Sequence, residues 1–149
     1  MTEWCPSLHN PNAQPACVTC DTVKVLKDRA DDGKPLLNAL ETDLGNSVFT
    51  YSEIRPNAKE HCVLVTKKHN KDVWDISQRE WNDMLPVLKD NIAKINRVYS
   101  PPGFRIGISV GKFGLQNKNH FYCRIVPKYM INEGTYSTGG QSRRNLYRN

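Results

Sequence analysis

Gln116-Asn-Lys-Asn-His120-Phe-Tyr122-Cys-Arg124-Ile-Val-Pro127-Lys128 is the stretch on which the fold turns. Read as a strand, it alternates its side chains between two faces. His120, Tyr122 and Arg124 then share one face, and Phe121, Cys123 and Ile125 share the other. The second set is apolar and fits a core. The first is crowded with groups that bind phosphate or metal, which folding alone does not require. Pro127 has no N–H to give and is expected to end the ladder. The polar face is therefore expected to line a ligand cleft.

Around this stretch the chain has 149 residues, 38% hydrophobic and 24% charged, which fits one globular domain with a modest core. No apolar run approaches the length of a membrane span. Met-Thr-Glu-Trp-Cys-Pro has no basic segment followed by an apolar one, so a cytoplasmic protein is the expectation. The net charge of +6 suits an anionic partner, whether a nucleotide, a nucleic acid or nothing specific. Charge is uneven: Arg55 to His69 is basic, and Asp21 to Asp43 is acidic. The five cysteines are Cys5, Cys17, Cys20, Cys62 and Cys123. Their odd number argues for metal or free thiols over a disulfide framework.

Residues 1–16 read as an irregular arm rich in Pro, Asn and Gln. Cys17-Val-Thr-Cys20 is either half of a zinc site or a redox pair. Asp21 to Lys27 suits a short helix or a strand, Ala30 to Lys34 a turn, and Pro35 to Glu41 a short helix ending near Gly45. Ser47 to Ile54 and His61 to Thr66 read as strands forming an antiparallel hairpin across the loop Arg55 to Glu60. Ser77-Gln-Arg-Glu80 fits a capping box opening a helix. Trp81, Met84, Leu85, Leu88, Ile92 and Ile95 form its apolar stripe, expected to be core. Pro86 is expected to kink this helix or split off its first turn, and Ser100-Pro-Pro-Gly103 to stop it. Phe104 to Val110 is a third strand, and Gly111-Lys-Phe-Gly114 a loop permitting close approach to a ligand. The domain is expected over 17–130, followed by a basic tail over 131–149. The fold class is α+β: a mainly antiparallel sheet of about five strands with one long helix packed on it.

These segments, in this order, resemble the histidine-triad (HIT) superfamily. Asn57-Ala-Lys-Glu-His61-Cys-Val-Leu-Val-Thr-Lys67-Lys-His69 is similar to the family's Gly-His-x-Leu-Val-Ile-Pro-Lys-x-His. Pro102-Gly-Phe-Arg-Ile-Gly-Ile-Ser109 resembles its Asp-Gly-(Tyr/Phe)-Asn-Ile-Gly-x-Asn strand. Gln116 to Lys128 resembles Gln-x-x-x-His-x-His-x-His-x-x-Pro-Arg, and Gly139-Gly140 with Arg143 is similar to the tail of some diadenosine-polyphosphate hydrolases. The resemblance spans about residues 17–144 and is specific through order and spacing.

The departures bear on chemistry. His120 matches the first triad histidine, but Tyr122 stands at the position the family uses as nucleophile, and Arg124 at the third. A histidine forms a labile phosphoramidate, whereas a phenol with a pKa near ~10 is mostly protonated at neutral pH. The usual hydrolysis is therefore expected to be lost. What remains is binding of a nucleotide or another phosphate-bearing molecule, with Arg124, Gln116, Arg105, Ser109, Lys112 and His61 as ligand-binding residues. An active hydrolase or transferase using Tyr122 with Arg124 as clamp is one alternative. A protein- or nucleic-acid-binding module using the basic tail is the other. Cys62 and Cys123 read as core. The resemblance also implies zinc. Some members, and the related galactose-1-phosphate uridylyltransferases, bind it through positions that here are Cys17, Cys20, His69 and His120, with Cys5 and His9 a weaker substitute pair. It further implies a homodimer.

Overall fold

The computed structural model describes residues 17–34, 38–52, 61–132 and 135–137. The arm over 1–16, the loop over 55–60 and nearly all of the tail lie outside the described residues. Helix α1 spans Val18–Asp31 and strands β1 and β2 span Val48–Ser52 and Cys62–Thr66. Helix α2 spans Gln78–Tyr99, and strands β3, β4 and β5 span Gly103–Ile108, Tyr122–Asn132 and Thr135–Ser137. The five strands form one antiparallel sheet in the order β1-β2-β4-β3, with β5 paired to the far end of β4. The expected α+β architecture and the β1–β2 hairpin are both present.

Strand alternation sorts the core into two clusters. Val48, Cys62, Leu64, Cys123 and Ile125 face α2 and pack on Met84, Val87 and Ile95. Phe49, Tyr51, Val63, Val65 and Tyr122 face the opposite way and pack on Val23 and Leu26 of α1. The sheet thus lies between two helices.

Helix α2 begins as expected. Ser77 Oγ accepts from Glu80 N at 3.1 Å, and Glu80 Oε1 accepts from Ser77 N at 3.0 Å. It runs unsplit through Pro86 and ends at Ser100 in the left-handed region. Its stripe is only partly core: Met84 and Ile95 are buried, but Trp81 is 50% and Leu85 54% exposed. Periodicity gives an angle around the helix, not what covers that angle.

Four other expectations change. Asp21 to Lys27 belongs to a helix running from Val18 to Asp31, settled by burial of Cys20, Val23 and Leu26 along one face. Residues 38–41, expected to end a helix, form a turn in which Asn38 Oδ1 accepts from Leu40 N at 2.9 Å. The opening stretch becomes strand only at Tyr122, so His120 precedes the ladder. Pro127 does not end the strand. It falls after β4 has left β2 at Ile125 and before it meets β5 at Tyr129, where one strand edge has no ladder bond to lose. Among the described residues, no helix is long and apolar enough to cross a membrane.

Candidate metal centre

Cys17 caps α1, its thiol accepting from Cys20 N at 3.4 Å. One helical turn then places Cys20 on the same side. His69 arrives from the loop after β2, and His120 from the segment just before β4. The four ligand atoms all lie within 4.8 Å of one another. Cys20 Sγ is 3.1 Å from His69 Nδ1 and 3.4 Å from His120 Nδ1, and Cys17 Sγ is 3.7 Å from His120 Nδ1. A tetrahedral site at zinc bond lengths has ligand–ligand edges of about 3.3–3.8 Å, so the set fits a four-coordinate ion.

Protonation favours the same arrangement. His120 Nε2 lies 2.8 Å from the Thr66 carbonyl oxygen, to which it donates. That bond fixes the proton on Nε2 and leaves the Nδ1 lone pair facing the thiols. Burial lowers the His120 pKa to about 4 and also lowers that of His69, so both imidazoles are neutral near pH 7. Burial raises the Cys17 thiol, so a metal entering here must displace its proton.

Cys17, Cys62 and Cys123 are free thiols. Cys62 and Cys123 are core residues as expected, and burial pushes the Cys123 thiol up to about 11.

The cleft residues separate into three groups. Tyr122 is 1% exposed among the apolar side chains under α1, and its hydroxyl accepts from Asn117 N at 3.3 Å. Arg124 follows on the same strand face, its guanidinium carbon 5.0 Å from the Tyr122 ring centroid and its Nη2 donating to Asn117 Oδ1 at 3.2 Å. Lys118 Nζ lies 5.6 Å from the same centroid. Gly107 on β3 pairs with Arg124, and Arg105 pairs with Val126, so Arg105 shares this face. A Cβ at Gly107 would meet nothing within 4 Å, leaving open space beside Arg124.

Gln116 belongs to the second group. Its Oε1 accepts from Gly111 N at 2.9 Å, and its Nε2 donates to Lys71 O at 2.7 Å and Lys118 O at 2.9 Å. It braces the loop from within. Gly114 likewise serves the loop, because a Cβ there would run into the Val110 carbonyl. In the third group, His61 is buried at the start of β2, Ser109 is half-buried beyond β3, and Lys112 is exposed. Asn117, Lys118 and Gly107 were missed by the sequence reading.

The fold and this geometry define a HIT-type α+β protein with a Cys/His cluster beside an arginine-bearing strand. The model of the HIT domain family matches residues 42–131, and the chain belongs to that family. The adenosine 5'-monophosphoramidase hnt1 of Schizosaccharomyces pombe is 24% identical over 113 residues, covering 76% of this chain and 74% of hnt1. A HIT family protein from Bacillus anthracis superposes with a TM-score of 0.64 at 20% identity, covering 91% of this chain and 89% of its own. A histidine triad nucleotide-binding protein from Candida albicans superposes with a TM-score of 0.58, also at 20% identity, covering 87% of this chain and 85% of its own.

Proposed function

We propose that this protein is a HIT-domain protein with a structural zinc that binds a nucleotide or another phosphate-bearing small molecule and lacks the usual nucleophilic cycle. One observation carries the reading: Tyr122 is packed under α1 while the half-buried Arg124 beside it has an unpartnered Nε. The Tyr122 hydroxyl is reached by a backbone N–H and sits in an apolar cluster, a poor place from which to attack phosphorus. The Arg124 Nε is buried with no hydrogen-bond partner, and no carboxylate pairs with its guanidinium among the described residues. Such a cation favours an anion, and a guanidinium offers phosphate a bidentate contact. The nucleotide part rests on kinship with proteins named as a monophosphoramidase and as a nucleotide-binding protein.

Zinc on Cys17, Cys20, His69 and His120 is supported by the ligand distances and by the neutral imidazoles. Four protein ligands leave no open position for water, so the ion would staple α1 to the segment entering β4. A homodimer is supported by the half-exposed Trp81 and Leu85 on α2 and by Ile106, 43% exposed on the edge strand β3. The protein is expected in the cytoplasm.

The test is turnover and binding together. Zinc-loaded protein is incubated with adenosine phosphoramidate and diadenosine polyphosphates, and AMP binding is followed by calorimetry. Binding without turnover is expected. Turnover abolished by Tyr122→Phe would overturn the reading in favour of an active hydrolase.

A further inference from the structure

The geometry points to Asn70 as a positioning residue for the metal centre, held in turn by the buried carboxylate of Glu80. The inference rests on the zinc reading above and extends it beyond the four ligands. Asn70 follows His69 in sequence, and its carbonyl accepts from Phe121 N at 2.6 Å, next to His120. One residue therefore touches the backbone of both histidine-bearing segments. Its side chain is also committed. Asn70 Nδ2 donates to Thr66 Oγ1 at 3.2 Å and to Glu80 Oε2 at 2.7 Å. Thr66 is the residue whose carbonyl holds His120 Nε2, and its hydroxyl donates to Lys68 O at 2.9 Å, within the loop leading to His69.

Thr66, Asn70, Glu80 and His120 are all buried, so none of these bonds is easily replaced by water. The two oxygens of Glu80 serve different donors: Oε1 accepts from Ser77 N in the capping box, and Oε2 from Asn70. A carboxylate can satisfy both donors, whereas an amide has a single acceptor oxygen. The start of α2 is thereby tied through Asn70 and Thr66 to the ring orientation of His120. Partners of this kind fix the tautomer and direction of a ligating histidine, and their loss typically costs about tenfold to a hundredfold in metal affinity.

The experiment uses the reduced full-length chain. Zinc affinity is measured by competition with a chromophoric chelator, and cobalt(II) is bound as a spectroscopic reporter. Asn70→Ala is expected to weaken zinc by roughly tenfold or more and to shift the cobalt d–d bands. Ser77→Ala removes a capping contact that does not touch Asn70 and is expected to lower stability while leaving the bands in place. Wild-type affinity and bands in Asn70→Ala, or an equal shift in Ser77→Ala, would overturn the positioning role. Should Asn70→Ala not fold, Glu80→Gln makes the same comparison, since one acceptor oxygen must then serve two donors. Unchanged affinity and bands there would overturn the inference too. If wild-type protein gives no thiolate-to-cobalt charge-transfer band, the zinc reading itself fails and this inference falls with it. A wild-type band with an indifferent Asn70→Ala removes only the inference.

Discussion

The Arg124 guanidinium and the Tyr122 ring stack at 5.0 Å, and Lys118 Nζ approaches the same ring at 5.6 Å. Two cations thus converge on one aromatic side chain that is almost wholly buried. The contact needs the ring and not the hydroxyl. Tyr122→Phe is therefore expected to keep the fold and AMP affinity, losing roughly 1 kcal/mol at most for the Asn117 N–H bond. Tyr122→Ala removes a packed ring from under α1 and is expected to cost about 3–5 kcal/mol, as large aromatic truncations do. Urea unfolding of both variants checks this. A Tyr122→Phe protein as unstable as Tyr122→Ala would contradict the packing account.

Arg124 itself is expected to behave differently. Its planar fork is anchored at Asn117 Oδ1, and Gly107, its partner across the ladder, leaves open space on that face. Lysine keeps the charge but not the fork. Arg124→Lys is expected to weaken AMP binding at least about tenfold while leaving the unfolding midpoint nearly unchanged. Calorimetric titration beside thermal unfolding separates the two effects. Equal affinity in Arg124→Lys would place the phosphate elsewhere.

The Cys/His cluster makes a prediction about metal stoichiometry. Zinc uptake by protein kept reduced is expected to approach one ion per chain. Cys17→Ser and His120→Ala are each expected to lower that stoichiometry. A ligand bound only by the folded chain raises stability by about 2.7 kcal/mol at a hundredfold excess over Kd. Chelator should therefore lower the melting temperature of reduced wild-type protein and leave Cys17→Ser little changed. Elemental analysis and thermal scans provide the readouts, and an unchanged zinc stoichiometry in Cys17→Ser would count against this ligand set.

Much of this was legible because it depends on local pattern. The β1–β2 hairpin follows from alternation in Ser47 to Ile54 and His61 to Thr66. The start of α2 follows from Ser77 and Glu80. The four positions of the Cys/His cluster follow from the resemblance, since no spacing rule joins Cys17 to a histidine 103 residues away. Helix α1 was hidden because its buried face is narrow, with Val23 and Leu26 its main apolar contacts beyond the cysteines. The exposure of Trp81 and Leu85 was hidden for the opposite reason: the helix declares its apolar face, but only the tertiary arrangement decides what covers it. The partners of Gln116 are backbone atoms of Gly111, Lys71 and Lys118, which no sequence displays. The Thr66–Asn70–Glu80 chain was invisible for the same reason.

The junction of α2 with β1 carries a pH dependence of its own. Asp83 Oδ2 accepts from Ser47 Oγ at 2.5 Å and from Ser47 N at 3.2 Å, and these bonds hold the Asp83 carboxyl below its ordinary pKa. Hydrogen bonds to the charged form favour that form, so the folded state releases this proton more readily than the unfolded chain. The unfolded chain then binds more protons as the solution is acidified, and stability falls with pH. The contribution is fully present above the unfolded carboxyl value of about 3.9. It is lost as pH drops through the lower folded value. Asp83→Asn cannot titrate, and its oxygen can still accept from Ser47. It is expected to be somewhat less stable at pH 7 and to show a flatter decline below about pH 4. Urea midpoints across that range, wild type against Asp83→Asn, give the comparison. Parallel curves for the two proteins would show that Asp83 does not link this junction to pH.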